Sequence, residues 1–445
     1  MDSLMSFLGL ADLSTSTAAI VVACIMLVLL LMGFPMMVPL LTGAMLLLFS
    51  QFPFMDGPVM IQQMIGGVSQ SVLVAVPMFI LAADIMIKGH TADRLLDLVS
   101  KFVGHLRGGL PMTTAVSCTL FGAVSGSTQA TVVAIGQPLR PRLIQAGYTD
   151  TFAMALIINA SDIALLIPPS IGMIIYGVVS GTSVGDLFIA GIGPGLMILV
   201  LFSVYCYFKS IKLGIPVLPK ASREERKNAV KKAILPMGFP VIIIGGIYSG
   251  LFSPSEAASM SVAYALFLEM VLFRQVKISD MPSVALSTGL ITAVVFILVA
   301  AGTAFSWVVS FAKLPDLMLG DVVANAAGSP YMILALISVS YFVGCMFVDP
   351  IVVILILTPI FAPAVAAAGI DPVLVGTLVT LQAAIGSATP PFGCDIFTAV
   401  AIFRRPYLEV IRGTPPFIVL LLLSTVLLIL FPQIALFLPG LMGAH

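Results

Sequence analysis

The sequence predicts an all-α polytopic membrane protein, and three observations carry that reading. Of 445 residues, 60% are hydrophobic and only 9% are charged, whereas soluble domains run near ~25% charged. Apolar runs recur from Thr17 to Leu438. A helix crossing a hydrocarbon core of about 30 Å needs roughly 20 such residues, so the length accommodates about a dozen spans. The runs are also continuous, where a transmembrane β-barrel would alternate over segments of about ten residues. A soluble enzyme and a single-anchor protein are thereby excluded. The formal net charge is zero, so no basic face exists for nucleic acid. Contact with a lipid bilayer is required.

The chemistry-bearing residues are sparse. Five cysteines (Cys24, Cys118, Cys206, Cys345, Cys394) stand singly in apolar stretches, without metal-ligand or redox spacing. His90, His105 and His445 lie outside the apolar runs. No HExxH, GxSxG or P-loop occurs, so hydrolysis and nucleotide use have no visible machinery. No Lys or Arg precedes the first apolar run, unlike a cleaved signal peptide.

Orientation follows from the Lys and Arg residues, which mark inner segments. Eight crowd positions 209–232: Lys209, Lys212, Lys220, Arg223, Arg226, Lys227, Lys231 and Lys232. Others fall at 88–107, at Arg140 and Arg142, at Arg274 and Lys277, and at Arg404, Arg405 and Arg412. In chain order, run 17–33 then goes inward, 36–52 outward, 69–88 inward and 185–208 inward. In the second half, 233–250 goes outward, 254–273 inward, 284–312 outward, and 414–438 exits on the outer side. Glu256 reads as the capping partner of Ser253, and Trp307 and Lys313 as interface anchors.

Two stretches do not read as simple spans, and they repeat. A shift of 222 residues lays 109–181 on 330–404 without a gap: Gly122 meets Gly344, Pro141 meets Pro363, and Gly147 meets Gly369. Leu156 meets Leu378, Ile174 meets Ile396, and Pro168-Pro169 meets Pro390-Pro391. The first hairpin's turn is basic (Arg140, Arg142), while its partner at 364–372 has one Asp and no base, so the repeat is inverted. Inverted repeats with sites near the midplane are an architecture of secondary transporters.

Within each repeat the helices are too short or too broken to span. Residues 109–124 and 128–142 each give roughly 24 Å of helix at 1.5 Å per residue. Between them Ser125, Gly126, Ser127 and Thr128 form a polar tip, the mark of a re-entrant hairpin entering from the inner side. The counterpart is 330–346, a tip at Phe347, Val348, Asp349 and Pro350, and then 351–363, entering from outside. Segments 148–164 and 372–385 are broken at Pro168-Pro169 and Pro390-Pro391. A helix cannot continue through two prolines, and unwound backbone at membrane depth is tolerated only in protein or beside a cavity. Its freed carbonyls suit a small cation, and half-helix N-termini suit an anion.

These stretches resemble a known family. The segments Gly122-Ala-Val-Ser-Gly-Ser-Thr128, Leu166-Ile-Pro-Pro-Ser-Ile171 with Ile174-Ile-Tyr-Gly177, Asp349-Pro-Ile-Val-Val-Ile-Leu-Ile-Leu-Thr-Pro359 and Thr389-Pro-Pro-Phe-Gly393 resemble the large membrane subunit of tripartite ATP-independent periplasmic (TRAP) transporters. The resemblance runs from Gly66 to Pro432. It implies an inverted-repeat elevator-type transporter in the bacterial inner membrane, not an enzyme. Its work would be sodium-coupled uptake of an organic acid of C4-dicarboxylate or sialic-acid type. The implied partners are a small four-helix membrane subunit and a periplasmic substrate-binding protein. Two departures stand out: Asp162 and Asp395 are acids where the family more often has uncharged residues.

The resulting reading divides the chain into N-terminal scaffold spans 1–108 and a first hairpin with broken helix 109–184. A connecting span 185–208, a basic inner loop 209–232, scaffold or arm spans 233–312 and an outer segment 313–329 follow. The second hairpin with broken helix is 330–404, and a last span fills 405–445. At least two sodium ions are expected. One would sit among Ser125, Gly126, Ser127, Thr128, Ser161 and Pro168, the other among Val348, Asp349, Gly386, Thr389 and Pro390. Substrate would lie between them, touched by Ser127, Asn159, Asp395 and Thr398. Asp84, Asp162, Glu256, Glu269, Asp349 and Asp395 are the acids inside apolar stretches, functional candidates by their cost in lipid. Two rival readings are a stand-alone symporter of the wider ion-transporter superfamily and a membrane-embedded enzyme. The second would need clustered titratable groups, and the spans offer isolated acids and no histidine.

Overall fold

A computed structural model describes residues 14–52, 54–55, 57–89, 91–317 and 329–441. His90, His445 and most of the outer segment 313–329 lie outside the described residues. The described residues form helices and turns with no strand, as lipid requires of a chain that must pair its own backbone. Six helices among them are long and apolar enough to cross a membrane, or eight if each of two bent pairs is one span. That is fewer than the about a dozen spans that length alone accommodates, because much of the apolar sequence is built into shorter helices.

Helices α1 (Thr15–Leu31) and α2 (Met37–Gln51) lie where the sequence places its first two spans. Helix α3 (Pro58–Val68) has no counterpart in that reading, since its 11 residues include Gln62, Gln63, Gly66 and Gly67. Helix α4 (Ala75–Lys88) continues a 3₁₀ turn at Ser71–Val74. Helix α5 (Thr91–Val103) is amphipathic, burying Leu95, Leu96 and Val99 beneath Asp93, Arg94 and Lys101.

The first repeat comprises α6 (Gly109–Ser125), α7 (Thr128–Gln145), α8 (Asp150–Ser161) and α9 (Ile171–Ser180). Then comes α10 (Val184–Lys212), longer than the predicted 185–208. The basic loop is not merely a linker. It contains α11 (Arg223–Ala233), begun by a capping box between Ser222 and Glu225. Glu225 also accepts from Lys101 Nζ at 2.8 Å, and Arg226 lies 5.5 Å above the Phe102 ring, so α11 is tied to α5. The Lys101 ammonium and the Ser222 amide hold the Glu225 carboxyl down at about 2.

The second half contains α12 (Gly238–Tyr248), α13 (Pro254–Leu266) and the 31-residue α14 (Met281–Phe311). Ser253 and Glu256 form the capping box that the sequence predicts. Next are α15 (Pro330–Phe347), α16 (Pro350–Ala367), α17 (Pro372–Ser387) and α18 (Cys394–Phe403). The chain ends in α19 (Tyr407–Ile411), α20 (Pro415–Leu430) and α21 (Gln433–Leu441), the last two bent by 57° where one span is expected.

The 222-residue shift holds for both hairpins, and for α8 it reproduces the start of α17 but not its end, 383 against Ser387. Applied to Gly109–Ser125 it gives 331–347, against the observed Pro330–Phe347, and applied to Thr128–Gln145 it gives the bounds of Pro350–Ala367. The peptide bonds Pro168-Pro169 and Pro390-Pro391, also one shift apart, are both cis. Both repeats are packed in one large apolar core, including Phe121, Leu156, Ile354 and Leu378. A smaller core of Leu40, Leu47, Val308 and Val352 joins α1, α2, α14 and α16.

Two acids of the apolar stretches act as ties away from the repeats. Thr288 Oγ1 donates to Asp84 Oδ2 at 2.8 Å, linking α14 to α4. Thr91 Oγ1 donates to the buried Glu269. Gly89 lets the chain pass that carboxyl, since a Cβ there would lie 2.1 Å from Glu269 Cδ.

Candidate functional site

The first tip is backbone packed on backbone. Helix α6 ends at Ser125, and Gly126 turns left-handed at φ 61°, a conformation that costs a side chain dearly. A Cβ on Gly126 would lie 2.4 Å from the Pro169 carbonyl oxygen, so this tip rests on the break of its own repeat. Ser127 then starts α7 by accepting from Ala130 N at 3.4 Å, while Thr131 Oγ1 donates to the Ser127 carbonyl at 2.8 Å.

The break itself has three parts. Helix α8 stops at Ser161, a 3₁₀ turn covers Asp162–Leu165, and the proline pair leads to Ser170, whose Oγ caps α9 by accepting from Met173 N at 3.3 Å. Close approach holds it in place, because a Cβ on Gly191 of α10 would lie 2.2 Å from the Leu166 carbonyl oxygen.

The second repeat is built alike. Asp349 caps α16, its Oδ1 accepting from Ile351 N at 2.9 Å. Phe392 N donates to the Met346 carbonyl at 3.1 Å, joining the second break to the second hairpin. Gly386 meets α15 so closely that a Cβ would lie 2.3 Å from Cys345 Cβ. Tyr407 donates its hydroxyl to the Pro391 carbonyl at 2.7 Å.

One carboxylate crosses between the repeats. Asp395, fully buried in the first turn of α18, accepts from Thr128 Oγ1 at 2.7 Å and lies 2.9 Å from Ser387 Oγ, whose single proton it shares with the Ala384 carbonyl at 2.7 Å. Thr128 belongs to the first tip, and Ser387 ends α17. At the far end of α7, Asp150 makes a second crossing. It takes Arg140 Nε and Nη2, each at 2.7 Å, and Arg405 Nε at 3.0 Å.

A cavity of 410 Å³ opens where these parts meet. Gly126, Ser127 and Thr128 line it from one tip, Asp349 from the other, and Gly172 and Cys394 from the starts of α9 and α18. Ser387 completes the polar side, and Leu290, Val294 and Leu298 of α14 form an apolar wall.

Of the predicted site residues, Gly126, Ser127, Thr128 and Asp349 line this cavity. Ser125 is buried behind the tip, 3.2 Å from Thr131 Oγ1. Ser161, Thr389 and Thr398 turn their hydroxyls back to the carbonyls four residues earlier, of Ile157, Ile385 and Cys394. Pro168, Gly386 and Pro390 contribute backbone at the breaks. Val348 lines a separate apolar groove of 600 Å³ between α1, α2, α14 and α16. Asn159 is buried one turn before the break, its Nδ2 donating to the Ala155 carbonyl at 2.8 Å. Ser387, Cys394, Gln129 and the α14 wall escape sequence reasoning. The shift by 222 lays Ser387 on Leu165 and gives no polar signal, and the α14 residues look like any lipid-facing stripe.

Two hairpin tips, two interrupted helices and a cavity between them define a multi-pass membrane transporter. The chain matches the family described as "Tripartite ATP-independent periplasmic transporter, DctM component" over residues 23–434, and it belongs to that family. It is 65% identical over 411 residues to the ectoine TRAP transporter large permease protein TeaC of Halomonas elongata, covering 92% of this chain and 96% of that one. Identity is 62% over 416 residues to the ectoine/5-hydroxyectoine permease UehC of Ruegeria pomeroyi, covering 93% and 96%. Permeases named for C4-dicarboxylate (Pseudomonas aeruginosa) and sialic acid (Vibrio cholerae) are 35% and 37% identical. These cover 83% and 85% of this chain and 87% and 89% of their own. The crystal structure of the Alcanivorax borkumensis YdaH transporter superposes with a TM-score of 0.59 at 15% identity, over 86% of this chain and 88% of that one, which is a likeness of fold. The protein is therefore a TRAP transporter large permease.

Proposed function

We propose that this permease takes up ectoine or a closely related cyclic zwitterion, coupled to sodium, with the two repeats moving as one body against the remaining helices. The reading replaces a C4-dicarboxylate or sialic acid with a solute of zero net charge. The Thr128–Asp395–Ser387 bridge beside the cavity carries it. Thr128 and Ser387 also line the cavity, and a hydroxyl that donates its proton keeps lone pairs able to accept from an amidinium N–H. Asp349 adds an acid at the cavity surface, and no Lys or Arg occurs at 330–403 or between Arg142 and Lys209. A dianion would meet net negative charge there, whereas a zwitterion offers its cationic end to the acids and its carboxylate to the starts of α9 and α18. The higher identity to ectoine permeases than to those named for the two acids supports the same choice.

Sodium is assigned to the unwound backbone at the two breaks, where hard carbonyl oxygens are free of helix pairing. A small membrane subunit and a substrate-binding protein complete the transporter, and the basic segment 209–232 faces the cytoplasm of a bacterial inner membrane. The test is uptake of radiolabelled ectoine into proteoliposomes holding the complete transporter. Uptake should need a sodium gradient, should be competed by excess 5-hydroxyectoine, and should ignore succinate and N-acetylneuraminate. Competition by succinate as strong as by ectoine would sink the assignment. Asp395→Asn should lower the initial rate at least tenfold while leaving the protein folded.

A further inference from the structure

Asp162 is the one acid of the repeats whose two carboxylate oxygens are both buried without a hydrogen-bond partner among the described residues. It is 0% exposed and stands at the C-terminal end of α8. Three residues earlier on the same helix, Asn159 is also 0% exposed, and its Oδ1 likewise has no partner. Residues three apart lie on one helix face with Cβ atoms about 5–6 Å apart. Donation by Asn159 Nδ2 to the Ala155 carbonyl leaves Oδ1 as the amide's free acceptor. All three orphaned oxygens are acceptors.

The surroundings add negative charge and no positive charge. The last carbonyls of α8 carry the helix's partial negative end. Asp395 lies within electrostatic range, and its own oxygens are occupied by Thr128 and Ser387. No Lys or Arg occurs at 108–139 or 143–208. Leaving a carboxylate ionised and unpaired in such a place costs several kcal/mol per ion. Asp162 and Asn159 are not among the residues lining the 410 Å³ cavity. A solute held in that cavity therefore does not touch them.

We propose that Asp162 and Asn159 form a cation site built from side chains, one turn before the first break, that takes a sodium ion in addition to those held by unwound backbone. This rests on the sodium-coupled reading above and makes it more specific. The negative charge of Asp162 is then matched by the ion, and the site adds one to the number of sodium ions per permease.

The experiment is equilibrium binding of ²²Na⁺ to the purified complete transporter, counted per permease, with sodium uptake stoichiometry measured in parallel. Asp162→Asn should lower the count by one. Asn159→Ala should keep the count and weaken one site about tenfold. Asp84→Asn, at the α4–α14 tie, should change neither. If wild type binds no sodium, the coupling assignment itself fails. If wild type binds sodium and Asp162→Asn binds the same number, only the Asp162 site is refuted. An unchanged count with altered pH dependence of uptake would give the site to a proton and refute sodium. Should Asp162→Asn not fold, Asn159→Ala decides alone, and affinities within twofold of wild type would overturn the proposal.

Discussion

Gly126 and Gly386 show how little room the two tips leave. At Gly126 a side chain meets both a left-handed backbone and the Pro169 carbonyl 2.4 Å away. The conformation alone costs roughly 1–2 kcal/mol, and forcing the neighbour aside adds about 1–3 kcal/mol. At Gly386 the φ is ordinary but Cys345 Cβ is 2.3 Å away, so only the packing cost of about 1–3 kcal/mol applies. Gly126→Val should therefore lower the melting temperature more than Gly386→Val, and both should shift the sodium dependence of uptake. Equal sodium dependence in both variants and wild type would show that the tips do not carry ligands. Asp349 has a plain structural duty beside any role in the cavity, since it caps α16. Asp349→Ala should cost about 1 kcal/mol from the cap, whereas Asp349→Ser should restore stability. Any uptake defect that survives in the serine variant then reports the lost charge.

The helices were legible in proportion to how regular their physics is. Tips and breaks are set by Gly, Pro and Ser, whose backbone effects are local, so the sequence places them closely, while the helix ends run up to four residues further, 351–363 becoming Pro350–Ala367. Helices α3 and α5 were missed because a window that seeks unbroken apolar runs discards glutamines, glycines and an amphipathic face. Helix α11 falls in a segment whose charge marks it as loop, though its capping box is written in Ser222 and Glu225. The cavity wall from α14 and the bridge through Asp395 were not legible at all. Both depend on which faces meet in space, and no local rule encodes that. At the element scale α11 is held to α5 through Glu225 and Lys101, an exposed pair of the kind that measures small. Glu225→Ala, which also removes half the capping box, should lower helix protection in hydrogen exchange at 223–233 without altering solute uptake.

Taken whole, the molecule is two unequal halves closed on each other at both ends of α7. Asp395 of the second repeat takes Thr128 at one end, and Asp150 of the first repeat takes Arg405 at the other. The second tie also has Arg140 bound through two nitrogens, and such forked contacts are among the stronger ones. Replacing Arg405 by Ala should leave the Arg140 pair in place and cost under about 1 kcal/mol, since Arg405 is the more exposed partner. Asp150→Ala strands both guanidinium groups and should cost more, readable as a larger fall in melting temperature. Because these bridges and a shared apolar core join the halves, the peptide link between them is not what keeps them together. The permease should tolerate being made as two polypeptides, cut between Gly214 and Ser222. Coexpressed fragments should copurify and restore uptake, and failure to copurify would mean that the covalent chain, not the bridges, sets the pairing.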